Sequence, residues 1–210
     1  MSKNPIIKEI IEWAICIIIA VVIALTIKFF LITPTIVQQT SMYPTLVHNQ
    51  RLILSRLVRT TKEIPNRGEI ITFEAPYLYA YVSNENPEAK YINQPKGIFS
   101  KFNYYVLEIG KQSYIKRVIG LPGEEVEIKD GKVYINGEEL EENYLRETVA
   151  TSLQNENLNH FTVPEGTIFV MGDNRPDSID SRTFGCIPID KIEGKVILRF
   201  WPFSEFGKVE

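Results

Sequence analysis

The sequence predicts a mainly β protein: a single N-terminal transmembrane helix followed by an all-β exterior domain with a smaller inserted β lobe. Two observations carry this prediction. An apolar run lies near the N-terminus, and beyond Pro34 short β-branched or aliphatic runs alternate with turn residues, without any long helical periodicity. A chain of 210 residues is long enough for one anchor and one folded domain with a buried core.

The apolar run near the N-terminus is long enough to cross a membrane as a helix. Residues 13–27 carry no charge, and the run resumes after Lys28 with residues 29–32. As a helix, residues 13–32 would span about 30 Å, which matches the hydrocarbon core of a bilayer. The run has no polar face, unlike a helix buried in a globular core, and residues 33–36 offer no small-x-small site for its removal. We therefore expect an uncleaved anchor over residues 10–32.

The distribution of basic residues predicts the orientation of this anchor. The leader, residues 1–9, contains two lysines, whereas no Lys or Arg occurs between Lys28 and Arg51. The positive-inside rule then places the leader in the cytoplasm and residues 33–210 outside it, in the cell membrane with a single pass. The formal net charge is -3 and no basic block appears, so we expect no nucleic-acid partner. No Cys/His arrangement indicates a metal site.

The exterior part is predicted to consist of short strands. Val126 to Gly137 alternates apolar and polar residues around an Asp-Gly pair and an Asn-Gly pair, which predicts a hairpin and a second tight turn. The stretches 76–112 and 138–159 interrupt the strand rhythm and are interpreted as surface insertions. Further strands are predicted at residues 51–57, 70–73, 114–119, 167–171 and 195–200.

Ser41 is the first candidate for chemistry, since it follows the anchor closely in a Ser-x-x-Pro turn. A turn-capping hydroxyl is the simpler interpretation, because a serine becomes a nucleophile only when a neighbour removes its proton. The chain has two histidines, His48 and His160, and both fall in segments that read as surface. A Ser-His-Asp triad therefore has poor candidates.

Lys116 is the alternative base. Alternation along the predicted strand places it on one face with Tyr114 and Val118, and Arg117 on the other. A lysine on an apolar face is costly unless it is neutral or paired, and burial lowers its pKa toward a usable base. An edge-strand lysine that discourages aggregation fits the spacing equally well.

A third polar segment, Gly172 to Arg182, follows the apolar strand at 167–171 and contains three Asp, two Ser and two Arg. A solvated loop is the simplest interpretation. The density of opposite charges also fits a loop that pairs with itself and lies rigidly beneath a site.

Together these segments resemble the bacterial type I signal peptidases, the Ser/Lys-dyad serine proteases of peptidase type S26. Ser41-Met42-Tyr43-Pro44-Thr45 is similar to the nucleophile motif of that family, and Arg67 to Phe73 to its first strand motif. Tyr114 to Glu124 is similar to its lysine motif, and Gly172 to Arg182 to its Gly-Asp-Asn-Arg motif. The four motifs stand in the family's order after one anchor.

The resemblance implies a role for each matching residue. Ser41 would be the nucleophile, with its backbone N–H stabilising the oxyanion, and Lys116 the general base. Ser178 would hydrogen-bond the lysine, and Asp180 would form a supporting ion pair with Arg182. The family usually has Gly or Ser two residues before the nucleophile, whereas this chain has Gln39, whose contribution to the oxyanion site stays open. No cofactor and no metal is implied.

The implied activity is removal of signal peptides from secreted precursors, by cleavage after small-x-small sequences such as Ala-x-Ala. An extended substrate would add as a strand beside residues 36–40 and 113–115. The partners would be these precursors and the lipid bilayer, with the chain monomeric in the membrane. Substrate-binding positions expected along the cleft are Val37, Gln39, Met42, Leu46, Tyr114 and Ile115.

Two other functions compete with this one. A self-cleaving repressor would also pair Ser with Lys, but the predicted anchor and the lack of a helix-turn-helix pattern disfavour it. A catalytically idle, membrane-anchored β module that binds exported proteins would also fit the fold. The presence of both Ser41 and Lys116 disfavours that alternative.

Overall fold

The computed structural model describes residues 5–209 except residues 93, 147 and 148, and it confirms a mainly β fold with one N-terminal apolar helix. This helix, α1, runs over Pro5–Phe30. Within the described residues it is the one helix long and apolar enough to cross a membrane, with a mean hydropathy of 2.8 and none of its most apolar stretch buried. It therefore fits a single-pass anchor. The predicted boundaries at residues 9 and 32 stay predictions.

The described part of the chain contains eleven strands and, after α1, three short α-helices. The strands are β1 Ile32–Ile36, β2 Arg51–Ser55, β3 Ile70–Glu74, β4 Ser113–Gly120, β5 Glu125–Lys129, β6 Lys132–Ile135, β7 Glu138–Glu139, β8 His160–Thr162, β9 Thr167–Met171, β10 Ile187–Pro188 and β11 Ile192–Trp201. The helices are α2 Leu57–Thr61, α3 Ile98–Tyr105 and α4 Ser181–Phe184.

The strands form two antiparallel sheets. The larger sheet has the order β1-β2-β11-β3-β4-β9-β10, and the smaller has the order β7-β6-β5-β8. The smaller sheet lies in the chain between β4 and β9, which makes it the predicted inserted lobe. Its β5–β6 hairpin turns at Asp130 and Gly131, both with positive φ, and Asn136 and Gly137 make the next turn in the same way. The two Asn/Asp-Gly turns are confirmed, because these residue types tolerate the left-handed region.

Three clusters of buried apolar side chains hold the sheets together. One lies beneath the loop between β1 and β2, a second lies along β3, β4 and β9, and a third joins β9 to the smaller sheet. β9 is buried along its whole length, so both of its faces pack against other elements. The first cluster positions the site described below and comprises Val37, Met42, Leu46, Leu52, Leu54, Ile70 and Val196.

The predicted surface insertions are anchored more firmly than solvated loops. In the stretch 76–112, Val82 is 1% exposed and Ala89 is 3% exposed. Glu88 forms a parallel bridge with Cys186 next to the end of α4. The stretch 138–159 contacts the polar loop of residues 172–182 at several points described below.

The short helices were not predicted. The longest of them, α3, has eight residues, which is about two turns and too few for a 3.6-residue periodicity to be read from sequence. It begins after Gly97, which supplies no side-chain cap. A start signal of the usual Ser, Thr, Asp or Asn type is therefore missing as well.

Gly185 marks a close approach between α4 and the 76–112 stretch. Its backbone has φ +88 and ψ -169, a region that is essentially restricted to glycine. A methyl group at Gly185 would overlap the carbonyl oxygen of Pro87, which accepts the backbone N–H of Cys186 at 2.6 Å. Gly97 has nearly the same backbone angles, φ +83 and ψ 160, but no atom lies within 4 Å of the position of a Cβ.

This pair of glycines separates backbone strain from steric overlap. We expect Gly97→Ala to destabilise the chain by about 1–3 kcal/mol through strain alone. Gly185→Ala should cost about 1–3 kcal/mol more, because the Pro87 carbonyl must also move. Urea unfolding of the detergent-solubilised variants measures both losses. Equal losses for the two variants would contradict the close approach.

Candidate active site

Ser41 is placed by a loop that is closed on itself and packed on the core. The loop joins β1 to β2, and Val37 near its start is hydrogen-bonded through its backbone to Asn49 and Gln50 at its end, at 2.8 and 2.9 Å. The carbonyl oxygen of Ser41 accepts the backbone N–H of Asn174 at 3.0 Å. Ser41 is consequently held at the floor of a cleft, with 5% of its surface exposed.

Lys116 reaches the same point from β4. Its Nζ lies 2.7 Å from Ser41 Oγ and 3.1 Å from the carbonyl oxygen of Ile115. The lysine is 1% exposed, and Tyr114 packs near the amine with its ring centroid 5.5 Å from Nζ. The alternative interpretation of Lys116 as an exposed edge-strand lysine is therefore wrong, since the side chain is buried.

Burial lowers the pKa of Lys116 from 10.5 to about 8. The negative charges of Asp180 and Asp173 oppose this change, and the positive charge of Arg182 adds to it. At pH 7 a lysine with a pKa of about 8 is neutral in about one molecule in ten, roughly 300-fold more often than at a pKa of 10.5. The environment therefore supplies a lysine that is able to accept a proton near neutral pH.

Asp180 and Arg182 form a fully buried ion pair below the lysine. Arg182 donates to both carboxylate oxygens of Asp180 at 2.8 Å, and neither side chain is exposed. Asp180 also accepts the backbone N–H of Gly172 at 3.0 Å. Arg182 reaches the carbonyl oxygen of Arg175 at 2.8 Å. The pair thus fastens the loop of residues 172–182 to the end of β9.

Ser178 is in the expected place but does not make the expected hydrogen bond. Its Oγ is buried and has no hydrogen-bond partner among the described residues, so the predicted contact with Lys116 is absent. The reason is its direction: Oγ lies against Gly172, where a methyl group would overlap both this oxygen and the Ser41 carbonyl oxygen. Ser178 and Lys116 nevertheless line the same cleft.

Asp173 connects the lysine strand to the nucleophile loop. Its two carboxylate oxygens accept Nε and an Nη of Arg117 at 2.9 and 2.7 Å, and both side chains are at most 3% exposed. Asp173 also accepts the hydroxyl of Thr45 at 2.5 Å. A single buried carboxylate therefore joins β4, the Ser41 loop and the 172–182 loop. Sequence reasoning matched Asp173 to a motif but gave it no role.

Residues of the 138–159 stretch also support the site, and sequence reasoning missed them. Glu142 pairs through both oxygens with Arg175, which is fully buried and also reaches Thr151. Tyr144 stacks against Arg117, with 3.9 Å between the guanidinium carbon and the ring centroid. Residues 172–182 contain three Asp for two Arg, so their composition gave no signal that Arg175 takes its acid from another segment.

Two adjoining clefts run past Ser41. The first, of about 510 Å³, contains the serine and the lysine, and the second, of about 430 Å³, lies between β1 and the start of β4. They share Gln38, Gln39 and Tyr114, so they form one continuous path. Val37 and Ile115, two predicted wall residues, line the second cleft.

Met42 and Leu46 do not line either cleft, which corrects their predicted place in its walls. Both are 0% exposed and belong to the apolar cluster beneath the nucleophile loop. Both residues are apolar and stand between polar or exposed neighbours. That pattern fits a side chain in a cleft wall as well as one that anchors the loop in the core, so the sequence did not tell the two apart.

Neither histidine is part of the cleft lining. His48 contacts the carbonyl oxygen of Gln38 at 2.9 Å, and His160 contacts Glu125 in the smaller sheet at 2.6 Å. Within residues 5–209, leaving aside 93, 147 and 148, no group of three or more His, Cys, Asp or Glu side chains is placed to hold a metal ion.

Comparison with known proteins gives consistent matches over nearly the whole chain. Residues 10–201 match the family described as signal peptidase, peptidase S26. The chain is 34% identical to signal peptidase IB of Staphylococcus aureus (strain COL), covering 95% of this chain and 93% of that protein. It is also 34% identical to signal peptidase I S of Bacillus subtilis (strain 168), covering 96% and 94%.

A solved structure is matched as well. A signal peptidase I from Enterococcus faecalis V583 is 32% identical, with a TM-score of 0.40 over 63% of this chain and 97% of that one. The assignment follows from the sequence matches alone. The chain belongs to the signal peptidase family, peptidase S26, whose members are serine hydrolases that remove signal peptides.

Proposed function

We propose that this chain cleaves secreted precursors after small-x-small sequences through a Ser41–Lys116 dyad and an acyl-enzyme. The observation that carries the proposal is the distance of 2.7 Å between Lys116 Nζ and Ser41 Oγ. A nucleophilic serine requires a base within hydrogen-bond reach, and the lowered pKa of Lys116 makes its amine suitable for that task.

The reaction proceeds in two halves. Neutral Lys116 takes the Ser41 proton as Oγ attacks the scissile carbonyl carbon, and the resulting ammonium gives the proton to the leaving amine as the peptide bond breaks. In the second half, Lys116 takes a proton from water, whose oxygen attacks the Ser41 ester. Collapse of that intermediate releases the new carboxyl terminus and restores the serine hydroxyl.

The oxyanion is stabilised by the backbone N–H of Ser41. Among the described residues this N–H has no hydrogen-bond partner, which leaves it available to a substrate carbonyl. Gln39 lines both clefts and stays a candidate for a second donor through its side-chain amide. In this proposal it occupies the position at which other members of the family carry Gly or Ser.

The remaining motif residues act by positioning. Asp180 and Arg182 hold the 172–182 loop against β9, and Asp173 ties that loop to the nucleophile loop. Ser178 supports the lysine in this proposal, since its buried hydroxyl lies in the same cleft and has no other hydrogen-bond partner among the described residues. These groups move no proton in the reaction.

The substrate binds as an added strand between two unpaired strand edges. β4 pairs with β9 only from Arg117 onward, so residues 113–115 have no strand partner on that side within the described chain. β1 is an edge strand that pairs with β2 alone. Both edges line the second cleft, where a substrate backbone is able to hydrogen-bond and its side chains meet Val37 and Ile115.

The membrane arrangement in this proposal places α1 across the cell membrane as the anchor. The leader is cytoplasmic, and the two sheets lie on the outer side, where secreted precursors emerge. Ser41 follows the end of α1 by eleven residues, counting from Phe30, so the cleft is held close to the bilayer surface. Ser41 and Lys116 of the same chain meet, so in this proposal one chain is sufficient for the reaction and acts as a monomer.

Removal of the base tests the dyad. We expect Lys116→Ala to lower the rate of cleavage of an Ala-x-Ala precursor by about 10²–10⁴-fold, because a positioned base contributes that much. Ser41→Ala should lose at least as much. Lys132→Ala, on β6 and 53% exposed, is a matched control that should keep full activity. Full activity of a folded Lys116→Ala variant would contradict the assignment.

The pH dependence of cleavage tests the protonation state of the base. Protonated Lys116 is inert, and its pKa is lowered to about 8. The rate should therefore rise with pH, be half-maximal near pH 8 and fall about tenfold per pH unit well below that value. A profile of kcat/KM from pH 5 to 10 measures this. A rate that stays constant down to pH 5 would rule out the lysine as base.

A pair of identical substitutions tests the proposed cleft. Val37 and Val196 belong to the same buried cluster, but only Val37 lines the cleft. We expect Val37→Ala to admit larger side chains at the cleavage site, whereas Val196→Ala should keep the site choice of the unchanged enzyme. Mass spectrometry of products from precursors with Ala, Val or Leu at the small positions gives the comparison. An unaltered preference in Val37→Ala would remove this residue from the binding surface.

A further inference from the structure

The helix α3 carries an exposed apolar surface that the proposed reaction does not use. Ile98 is 85% exposed, Phe99 87% and Phe102 44%. At about 100° per residue, these three side chains fall within one arc of about 100° on the helix. The apolar surface continues beyond the helix with Ile109, which is 64% exposed. We call these four residues the α3 patch.

The other side of α3 is fastened to the domain, so the patch is not a frayed segment. Tyr104 lies opposite the centre of the patch and donates its hydroxyl to Glu74 at 3.2 Å. Tyr105, which borders the patch beside Ile98, donates to Gln94 at 3.0 Å. The helix is thereby held in a fixed orientation with its most apolar side chains in solvent, which for a monomeric protein indicates an interaction surface.

Contacts at its C-terminal end place α3 beside the end of the anchor. Glu108 forms an ion pair with Lys28, in the last turn of α1, at 3.1 Å. Arg59 stacks on Phe29 of α1, 4.6 Å from the ring centroid, and also reaches the carbonyl oxygen of Tyr105 at 3.5 Å. An eight-residue helix is about 12 Å long, so the whole of α3 stays near the level at which α1 leaves the hydrocarbon core.

The charges around the patch suit an anionic lipid surface. Lys96 and Lys101 are exposed and flank the apolar side chains, and α3 itself contains no acidic residue. Of the acids near α3, Glu108 is already paired with Lys28 and Arg56, and Glu74 is buried and pairs with Lys191. Aromatic and aliphatic side chains bordered by lysine are the composition of helices that lie in the interfacial region of a bilayer.

We propose that the α3 patch inserts into the headgroup region of the bilayer beside α1 and fixes the orientation of the domain on the membrane. The proposal rests on α1 being the membrane anchor of the proposed function. Two turns of helix bind lipid only weakly on their own. Because α1 already keeps α3 at the surface, the effective concentration of lipid is high and a weak contact is sufficient.

Spin labels on the full chain in phosphatidylcholine–phosphatidylglycerol vesicles test the insertion. Labels are placed by Phe99→Cys and Ile109→Cys, each with Cys16→Ser, while Cys186 is fully buried and stays unlabelled. Collision with oxygen, which concentrates in lipid, is compared with collision with a water-soluble nickel chelate. We expect oxygen to dominate at both positions. At Glu138→Cys, an exposed control in the smaller sheet, the chelate should dominate.

A label on the native Cys16, which is exposed on α1, tests the membrane anchor separately from the insertion of the α3 patch. Lipid exposure at Cys16 together with water exposure at residues 99 and 109 would overturn the insertion and leave the anchor intact. Water exposure at Cys16 would overturn the anchor and the insertion together. Dipolar broadening between labels at residue 99 would overturn the proposal in favour of a second copy of the chain on this surface.

Discussion

The contact between Lys116 Nζ and Ser41 Oγ works as a base–nucleophile pair only if the amine is neutral, and much of the domain contributes to that condition. The amine must be buried enough to lose its proton near neutral pH, yet an unpaired carboxylate beside it would restore the charge. Asp173 and Asp180 are both close enough to raise the pKa of Lys116. Each is bound by its own arginine at 2.9 Å or less, and the effect of burial on the lysine is the larger one. The site therefore keeps two buried acids without giving the base a counter-ion.

Three arginines pair with the buried acids around the site, including Glu142, and they are expensive to bury. The structure shows how the cost is met. Arg117, Arg175 and Arg182 are each at most 3% exposed, and removal of such charges from water costs several kcal/mol per ion. Each has carbonyl or hydroxyl acceptors in addition to its carboxylate, so their donors are used. Because these partners lie on separate segments, the same network fixes the nucleophile loop, β4 and the 172–182 loop relative to one another.

Local patterns carried the prediction of the fold, and the resemblance of four motifs to a known family carried that of the dyad. Long-range contacts limited the rest. The Asp-Gly turn at residues 130–131 was predictable because these two residue types tolerate the positive φ that the turn requires. Lys116 stood out because an unpaired charge is costly on an apolar strand face. Met42 was misplaced because a wall residue and a core residue have the same chemistry in sequence. The direction of the Ser178 hydroxyl and the acid partner Glu142 depend on segments distant in the chain, which no local pattern reports. Which polar side chains pair between distant segments is set by how those segments pack against one another.

The central claim is that Lys116 is neutral in a substantial fraction of molecules near neutral pH. Its most direct measurement is an NMR titration of lysine labelled with ¹³C at Cε, in which the Lys116 resonance is identified by its loss in Lys116→Arg. The account predicts a midpoint near pH 8, separated from the other lysines. A Lys116 midpoint near 10.5, together with theirs, would show that burial does not deprotonate this amine and would contradict the account.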